Sequence, residues 1–497
     1  MIPTFIGVAQ ILIGALLLFG SVPAMLAFVM LSGLMGGSAA LQLPALGGSS
    51  IPPIDVALGF LVLRLLREAG QQGALFRRAA VDLAPLIVFV LYGLLMAYIG
   101  PRLFAHGLEV TPLRPNFGHF TNQMAFIYAT APLRPSPQNV TTSVYLIGTL
   151  LLAFASHVAL GMPRGRDTLV RTAALIGLTH SFLGVFGLLA AGTPAAVVLD
   201  VFRNGSYAQL THEFQGFSRI SGILPEASSY GIYGFVWLVF LAECALRGVR
   251  PRLTGAAALV LVAVLAASTS STAYFGLGLY GAMLVLRVML IPRGFGVTAV
   301  IALACVLLGG AIIVLGVCAA EPKLASSLGE VLTHFTVDKG DSLSGLQRAF
   351  WARQGWHAFL ASHGLGIGPG SYRSSSIATS ILGSVGVIGA VAFLWLLLSV
   401  WKPWGRSTWT GRAPDPAATG AAAGWACLML FCVQSIALPS PDPGPEFALL
   451  AGAALSLRRL RLLAPARLSA ARFSMEPRLL QPLLAPGAAM RGKRQRA

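Results

Sequence analysis

The residues best suited to chemistry in this chain are arginines placed beside glycines, serines and one carboxylate in two stretches, Arg203 to Ser229 and Glu321 to Ser376. In the first, His212 and Glu213 precede Ser218-Arg-Ile-Ser-Gly-Ile-Leu-Pro-Glu-Ala-Ser-Ser229, which sets Arg219 a short way before Glu226. In the second, Ser344 to His363 has helical character and carries Arg348, Arg353, His357 and His363. It leads into Gly364-Leu-Gly-Ile-Gly-Pro-Gly-Ser-Tyr-Arg-Ser-Ser-Ser376. An arginine is always charged, and its planar fork matches the oxygens of a phosphate or diphosphate. Glycines such as Gly366 and Gly368 let backbone amides approach an anion, and Ser371 and the serines after it precede a helix start, where unpaired amides point outward. Arg219, Arg348 and Arg373 are therefore candidate anion clamps. Glu226 is a candidate base or orienter, with His212 and His363 as less favoured alternatives.

Each of these residues also has a plain structural explanation. Pro225 at a first helical position and Glu226 in the first turn would complement a helix dipole without any chemistry. Interfacial arginines reach to lipid phosphate, and glycines serve any tight loop. Helix geometry divides the second stretch further. At about 100° per residue, Arg353 and His357 lie about 40° apart while Arg348 is about 140° from Arg353, so the two arginines cannot address one ligand from a straight helix. Arg353 is an alternative to Arg348, not its partner.

The elements that must position these residues are membrane helices. The chain has 497 residues, of which 56% are hydrophobic and only 10% charged, a composition far from that of a water-soluble globule. A crossing takes about 20 mostly apolar residues. Apolar runs place spans near 4–20, 22–40, 54–66, 82–100, 140–161, 169–191, 228–246, 253–268, 271–291, 295–318, 376–400, 419–438 and 446–459. The fold class is all-α, a polytopic membrane helix bundle with about 12–13 spans, the piece from Pro3 to Leu43 being either a hairpin or one span plus a half-helix. Residues 1–460 form the membrane domain, with outer loops at 101–139, 192–228 and 319–376, and 461–497 form a basic tail. Most of the 35 lysines and arginines fall on one side of this topology, so the loops bearing the candidate residues are expected outside and the C-terminus in the cytoplasm. The net charge of +18 is then an orientation signal and an attraction to anionic membrane lipid, with no nucleic acid as partner.

The remaining polar features are sparse. His157 and His180 are expected to be the only strongly polar residues inside spans, as packed and satisfied histidines. Cys244, Cys305, Cys318, Cys427 and Cys432 read as small core residues, with no C-x-x-C pair and no metal-ligand spacing; no cofactor is called for. The segment Pro101 to Asn139 reads as a capping connector with a short helix at Phe117 to Tyr128. No removable signal peptide is evident, so the first span is expected to be retained.

Several arginines at the outer ends of membrane helices point to a diphosphate at the membrane surface, as in a polyprenyl-diphosphate-linked glycan, with arginine instead of a divalent cation neutralising the leaving group. The string Arg348-x-x-Trp351, Gly364-x-Gly366-x-Gly368-x-Gly370-Ser-Tyr and Ile381-Leu-Gly-Ser-Val-Gly-Val-Ile-Gly389, with Arg219-x-x-Gly222-x-x-x-Glu226-x-Ser228, resembles the large-loop signature of the O-antigen ligase and polysaccharide polymerase superfamily. The spacing from Arg353 to Gly364 resembles a pattern of some O-antigen polymerases. The resemblance implies a GT-C-like membrane glycosyltransferase of the bacterial inner membrane, acting on its periplasmic face, with a chain-length regulator as a candidate protein partner. Ligases of that superfamily carry a His-Asn pair after the glycine turn, whereas this chain has Arg373-Ser374-Ser375-Ser376, which favours an exopolysaccharide or O-antigen polymerase over a ligase. A transporter or flippase for the same lipid would instead place charges within spans near the midplane.

Overall fold

The computed structural model describes residues 2–44, 49–105, 107–113, 128–205, 213–214, 217–218, 220–291, 294, 343–411 and 415–458. Its helices are α1 (Phe5–Leu17), α2 (Val22–Ser32), α3 (Pro53–Asp82), α4 (Ala84–Leu103), α5 (Pro137–Gly161), α6 (Gly165–Ala190) and α7 (Ala196–Phe202). They continue with α8 (Ala227–Leu246), α9 (Pro251–Ala267), α10 (Ser271–Leu290), α11 (Leu343–Ala361), α12 (Ile377–Trp401), α13 (Arg406–Trp409), α14 (Asp415–Ala437) and α15 (445–458). Seven of these are long and apolar enough to cross a bilayer, and α1, α2 and α9 are shorter apolar helices. The protein is thus an all-α multi-pass membrane protein. Twelve of the expected spans are helical, the span near 295–318, the helix expected at Phe117 to Tyr128, Cys305, Cys318 and the basic tail lying outside the described residues.

Helix α8 is the axis of the bundle, packed by α6, α9, α10 and α14. Most of its side chains are enclosed, and Tyr230, Phe235, Val239, Phe240 and Leu241 are wholly buried, as expected for a mostly apolar helix at the centre of a bundle. A small antiparallel sheet of Ile2–Pro3, Leu41–Leu43 and Ser49–Ile51 ties the start of α1 to the start of α3, with Gln42 opposite both Ile2 and Ser50. The Pro3 to Leu43 piece is therefore a hairpin of two short helices.

Two helices are broken inside. In α3 the break falls at Gln72, between a half whose apolar start runs into Arg64, Arg67 and Glu68 and a half carrying Arg77 and Arg78. In α12 it falls at Gly386, whose φ of 57° is in the left-handed region. The backbone groups that this break frees are taken by the glycine-rich turn: Ile367 and Gly368 donate their amides to the carbonyls of Gly383 and Ser384 at 2.8 and 2.9 Å, and Val387 donates to Gly364 at 2.8 Å. Polar backbone in a membrane protein must be satisfied internally. The turn and the first half of α12 are therefore one unit.

One expectation about the spans needs correcting, because His157 and His180 are not the only strongly polar residues within them. Glu243 in α8 and Arg287 in α10 are wholly buried and paired, with Arg247 at the end of α8 completing the group. Arg247 also donates to the Thr408 carbonyl at 2.9 Å, Tyr280 donates to Glu243 at 3.1 Å, and Arg287 lies 4.3 Å over the Trp425 ring. This knot joins α8, α10, α13 and α14 at the end of the bundle opposite the glycine turn. Of the histidines, His157 bonds Asp82 at 3.0 Å, whereas His180 stacks on Tyr230 at 3.9 Å and its buried Nε2 has no partner among the described residues. Cys244 and Cys427 are buried free thiols, as expected.

Candidate functional site

At the glycine-turn end, the starts of α8 and α10 and the body of α11 surround an open cleft of about 320 Å³ lined by Glu226, Ala227, Ser228, Ser270, Ser271, Thr272 and Arg348. The two helix starts come together because of Gly231, where a Cβ would sit 3.0 Å from Ser270 Oγ. Helix α11 lies against α12 because Gly355 lets it approach, a Cβ there meeting the Thr379 carbonyl at 2.5 Å. Ser375 then donates to the Arg348 carbonyl at 2.6 Å, which fixes the helical turn bearing that arginine.

Glu226 is not in the first turn of α8, as the position of Pro225 led us to expect. The helix begins at Ala227, and Glu226 is its N-cap residue in extended backbone, with φ of −156°. Its carboxylate accepts a hydrogen bond from the Ser228 hydroxyl, not from a helix amide. The capping explanation therefore accounts for its backbone but not for its side chain, and Glu226 lines the cleft together with Arg348. Two helix N-termini and a guanidinium make the cleft attractive to an anion. The carboxylate beside them is placed to accept a proton.

Arg373 stands next to this cleft. Its guanidinium carbon lies 4.1 Å over the Trp351 ring, its amide donates to the Thr111 carbonyl at 2.8 Å, and Nη1 approaches the Leu113 carbonyl at 3.5 Å. The connector after α4 thus serves as a seat for the arginine. Burial pulls the Arg373 pKa down and the Glu226 carboxylate pushes it back up, so the two charges support each other across the site. Nε of Arg373 is buried without a partner among the described residues, which leaves donor capacity for a ligand.

The structure separates the other predicted residues. Arg353 and His363 are exposed, and neither lines the cleft; of the two arginines on α11, Arg348 is the one that does. The Gly366 amide donates to Ser362 Oγ at 2.8 Å, the Gly368 amide is taken by Ser384, and Ser371 is held by Asn139 Nδ2 at 3.0 Å and by the Ile367 carbonyl. The glycine run is explained by positive φ and close approach: a Cβ on Gly368 would lie 2.3 Å from the Met96 carbonyl, and one on Gly370 2.4 Å from that of Gln138. Gly370→Ala is expected to cost about 1–3 kcal/mol, read as a lower melting temperature of the solubilised protein. Arg219 and His212 lie outside the described residues. Their segment is anchored at its near end by Arg203, which donates to the Gly222 carbonyl at 2.9 Å and to Ser221 Oγ at 3.1 Å.

The residues that sequence reasoning passed over are Ser270, Ser271 and Thr272. The run Ser268-Thr-Ser-Ser-Thr272 between two apolar spans was the available signal. Among the described residues no group of three or more His, Cys, Asp or Glu side chains is arranged to hold a metal. The fold and site together define a multi-pass helical membrane protein with a polar, arginine-lined cleft at one end of the bundle. Compared with known proteins, the chain matches no family model and no curated protein sequence.

Proposed function

We propose that this protein is a membrane glycosyltransferase of the polysaccharide polymerase type, joining polyprenyl-diphosphate-linked repeat units on the periplasmic face of the bacterial inner membrane. The observation that carries this reading is the cleft lined by Glu226, Arg348 and two helix N-termini, with Arg373 alongside. In the reaction, a sugar hydroxyl of one lipid-linked unit attacks the anomeric carbon of another chain. Its proton passes to the Glu226 carboxylate, the anomeric carbon–oxygen bond to the diphosphate breaks, and the electron pair leaves with the diphosphate. Arg348 and Arg373, with Arg219 from the preceding loop, neutralise that leaving group in the role a divalent cation has elsewhere. Alignment of two large substrates supplies the rest of the acceleration.

The test is chain extension by purified protein in liposomes supplied with a polyprenyl-diphosphate repeat unit, read on a gel. Arg219→Ala and Arg348→Ala are expected to abolish extension, and Arg134→Ala, at an exposed position after the connector, to keep it. Full extension in both of the first two would sink the assignment. A flippase for the same lipid would want charges near the midplane of the spans, whereas Asp55 and Glu446 sit in the first turns of their helices. That reading requires movement of the lipid-linked unit across the liposome membrane with no longer product.

A further inference from the structure

Outside the cleft, three carboxyl groups converge at the same end of the bundle. Asp55 is in the first turn of α3, Asp442 in the turn between α14 and α15, and Glu446 in the first turn of α15. Contacts link them in sequence. A Cβ on Gly148 of α5 would lie 3.4 Å from Asp55 Oδ1. The neighbouring Thr149 donates its hydroxyl to Asp442 Oδ1 at 2.6 Å, and the Gly444 amide donates to the same oxygen at 3.3 Å. A Cβ on Gly444 would in turn lie 3.8 Å from Glu446 Oε2.

Two further polar groups point into this set and find no partner among the described residues. The Tyr233 hydroxyl of α8, in a residue only 6% exposed, and Glu446 Oε1 border the same point beside Gly33, at 3.5 and 3.7 Å. Gln434 of α14, 4% exposed, donates its amide to the Pro443 carbonyl at 2.8 Å, and its Oε1 is left over. Other elements packed here bring no compensating charge: Thr149 and Gln434 are neutral, and beyond Tyr233 comes the stacked His180 of α6. Among the described residues no lysine, arginine or histidine forms an ion pair with any of the three carboxyls.

Carboxylates enclosed together without a cation neutralise by taking up protons, and they titrate as a unit. Each of the three keeps partial exposure, which gives protons a way in. Burial pushes the Asp442 carboxyl up to about 6, against the pull of its Thr149 and Gly444 hydrogen bonds. The turn that carries Asp442 also reaches the candidate site, because the Ser374 amide donates to the Pro439 carbonyl at 3.4 Å.

We propose that Asp55, Asp442 and Glu446 form one proton-binding site, loaded at mildly acidic pH and emptied as pH rises through neutrality, whose occupancy sets the seat of the Arg373–Ser376 turn. A carboxyl whose pKa is raised by its folded surroundings favours the arrangement that holds the proton. That contribution is full at low pH and is lost as pH rises through the raised value. The inference does not depend on what the cleft does, polymerase or flippase.

Two measurements on the full-length protein in lipid test it. Infrared spectra at about pH 5 are expected to show a protonated-carboxyl stretching band that shrinks in Asp55→Asn, Asp442→Asn and Glu446→Gln singly and is lost when the three are combined. Hydrogen exchange of the 371–376 amides, corrected for intrinsic rate, is expected to rise about tenfold between about pH 5 and pH 8, the change that one unit of linked pKa shift produces. In the triple variant that rise disappears. Absence of the band in the native protein, or its survival in the triple variant, would overturn the proton site. Identical exchange profiles would overturn its link to the turn, and a band abolished by sodium ions at constant pH would make it a metal-cation site instead.

Discussion

Arg373→Lys is expected to slow chain extension about a hundredfold, the scale on which losing one preorganised donor acts, with the melting temperature little changed. A lysine keeps the charge but not the plane. The guanidinium carbon lies 4.1 Å over the Trp351 ring while Nη1 points toward the Leu113 carbonyl, and a planar fork makes both contacts at once. An ammonium on a flexible stem cannot reproduce them while also meeting a diphosphate. The backbone anchors of this turn, Arg373 to Thr111 and Ser374 to Pro439, do not involve the side chain, so the fold has no reason to loosen. Extension rates in liposomes beside melting curves of the same preparations decide the matter. A lysine variant at full rate would remove Arg373 from the diphosphate site, and a large drop in melting temperature would make its role structural.

Glu243→Gln is expected to destabilise the protein by about 3–5 kcal/mol, the cost of leaving a buried ion-pair partner uncompensated. Glu243 is the carboxylate that both Arg247 and Arg287 address, and all three side chains are essentially shut off from solvent. A third cation, Arg458, is held close by at the Trp401 carbonyl, 2.9 Å away. An amide cannot balance them. The double variant Glu243→Gln/Arg287→Met should recover much of the loss, because it removes one of the two orphaned charges. Denaturation curves of the single and double variants in detergent report this directly. Equal stability of the single variant and the native protein would show that the knot contributes nothing.

The helices were readable because lipid imposes a simple rule on composition, and runs such as Ile377–Trp401 and Ala227–Leu246 obey it without a charged residue at their centres. That Glu226 and Arg348 line one cleft was only half readable. Both residues drew notice as charges outside the spans, and helix geometry correctly parted Arg348 from Arg353, but nothing in the spacing could show that α10 adds its serines to the same cleft. The Glu243 knot was hidden for a different reason. Arginines at span ends look the same in sequence whether they reach to lipid phosphate or turn inward, and only the arrangement of α8 against α10 distinguishes the two. The three carboxyls at the glycine-turn end escaped attention because Asp55 and Glu446 lie nearly 400 residues apart, a separation that only the packing of α3, α5 and α15 removes.

Surface loops usually accept extra residues, because lengthening them costs little entropy and disturbs no packing. The turn from Gly364 to Gly370 should behave in the opposite way. Its amides complete the hydrogen-bond ladder of α12 where Gly386 interrupts it, so its length is tied to a helix pitch. One added residue between Gly364 and Gly368 would slide those donors past their carbonyls and leave polar backbone stranded beside lipid. The segment can therefore drift in side chains over evolutionary time but not in length, and in any set of related chains it should be the stretch of loop that aligns without gaps.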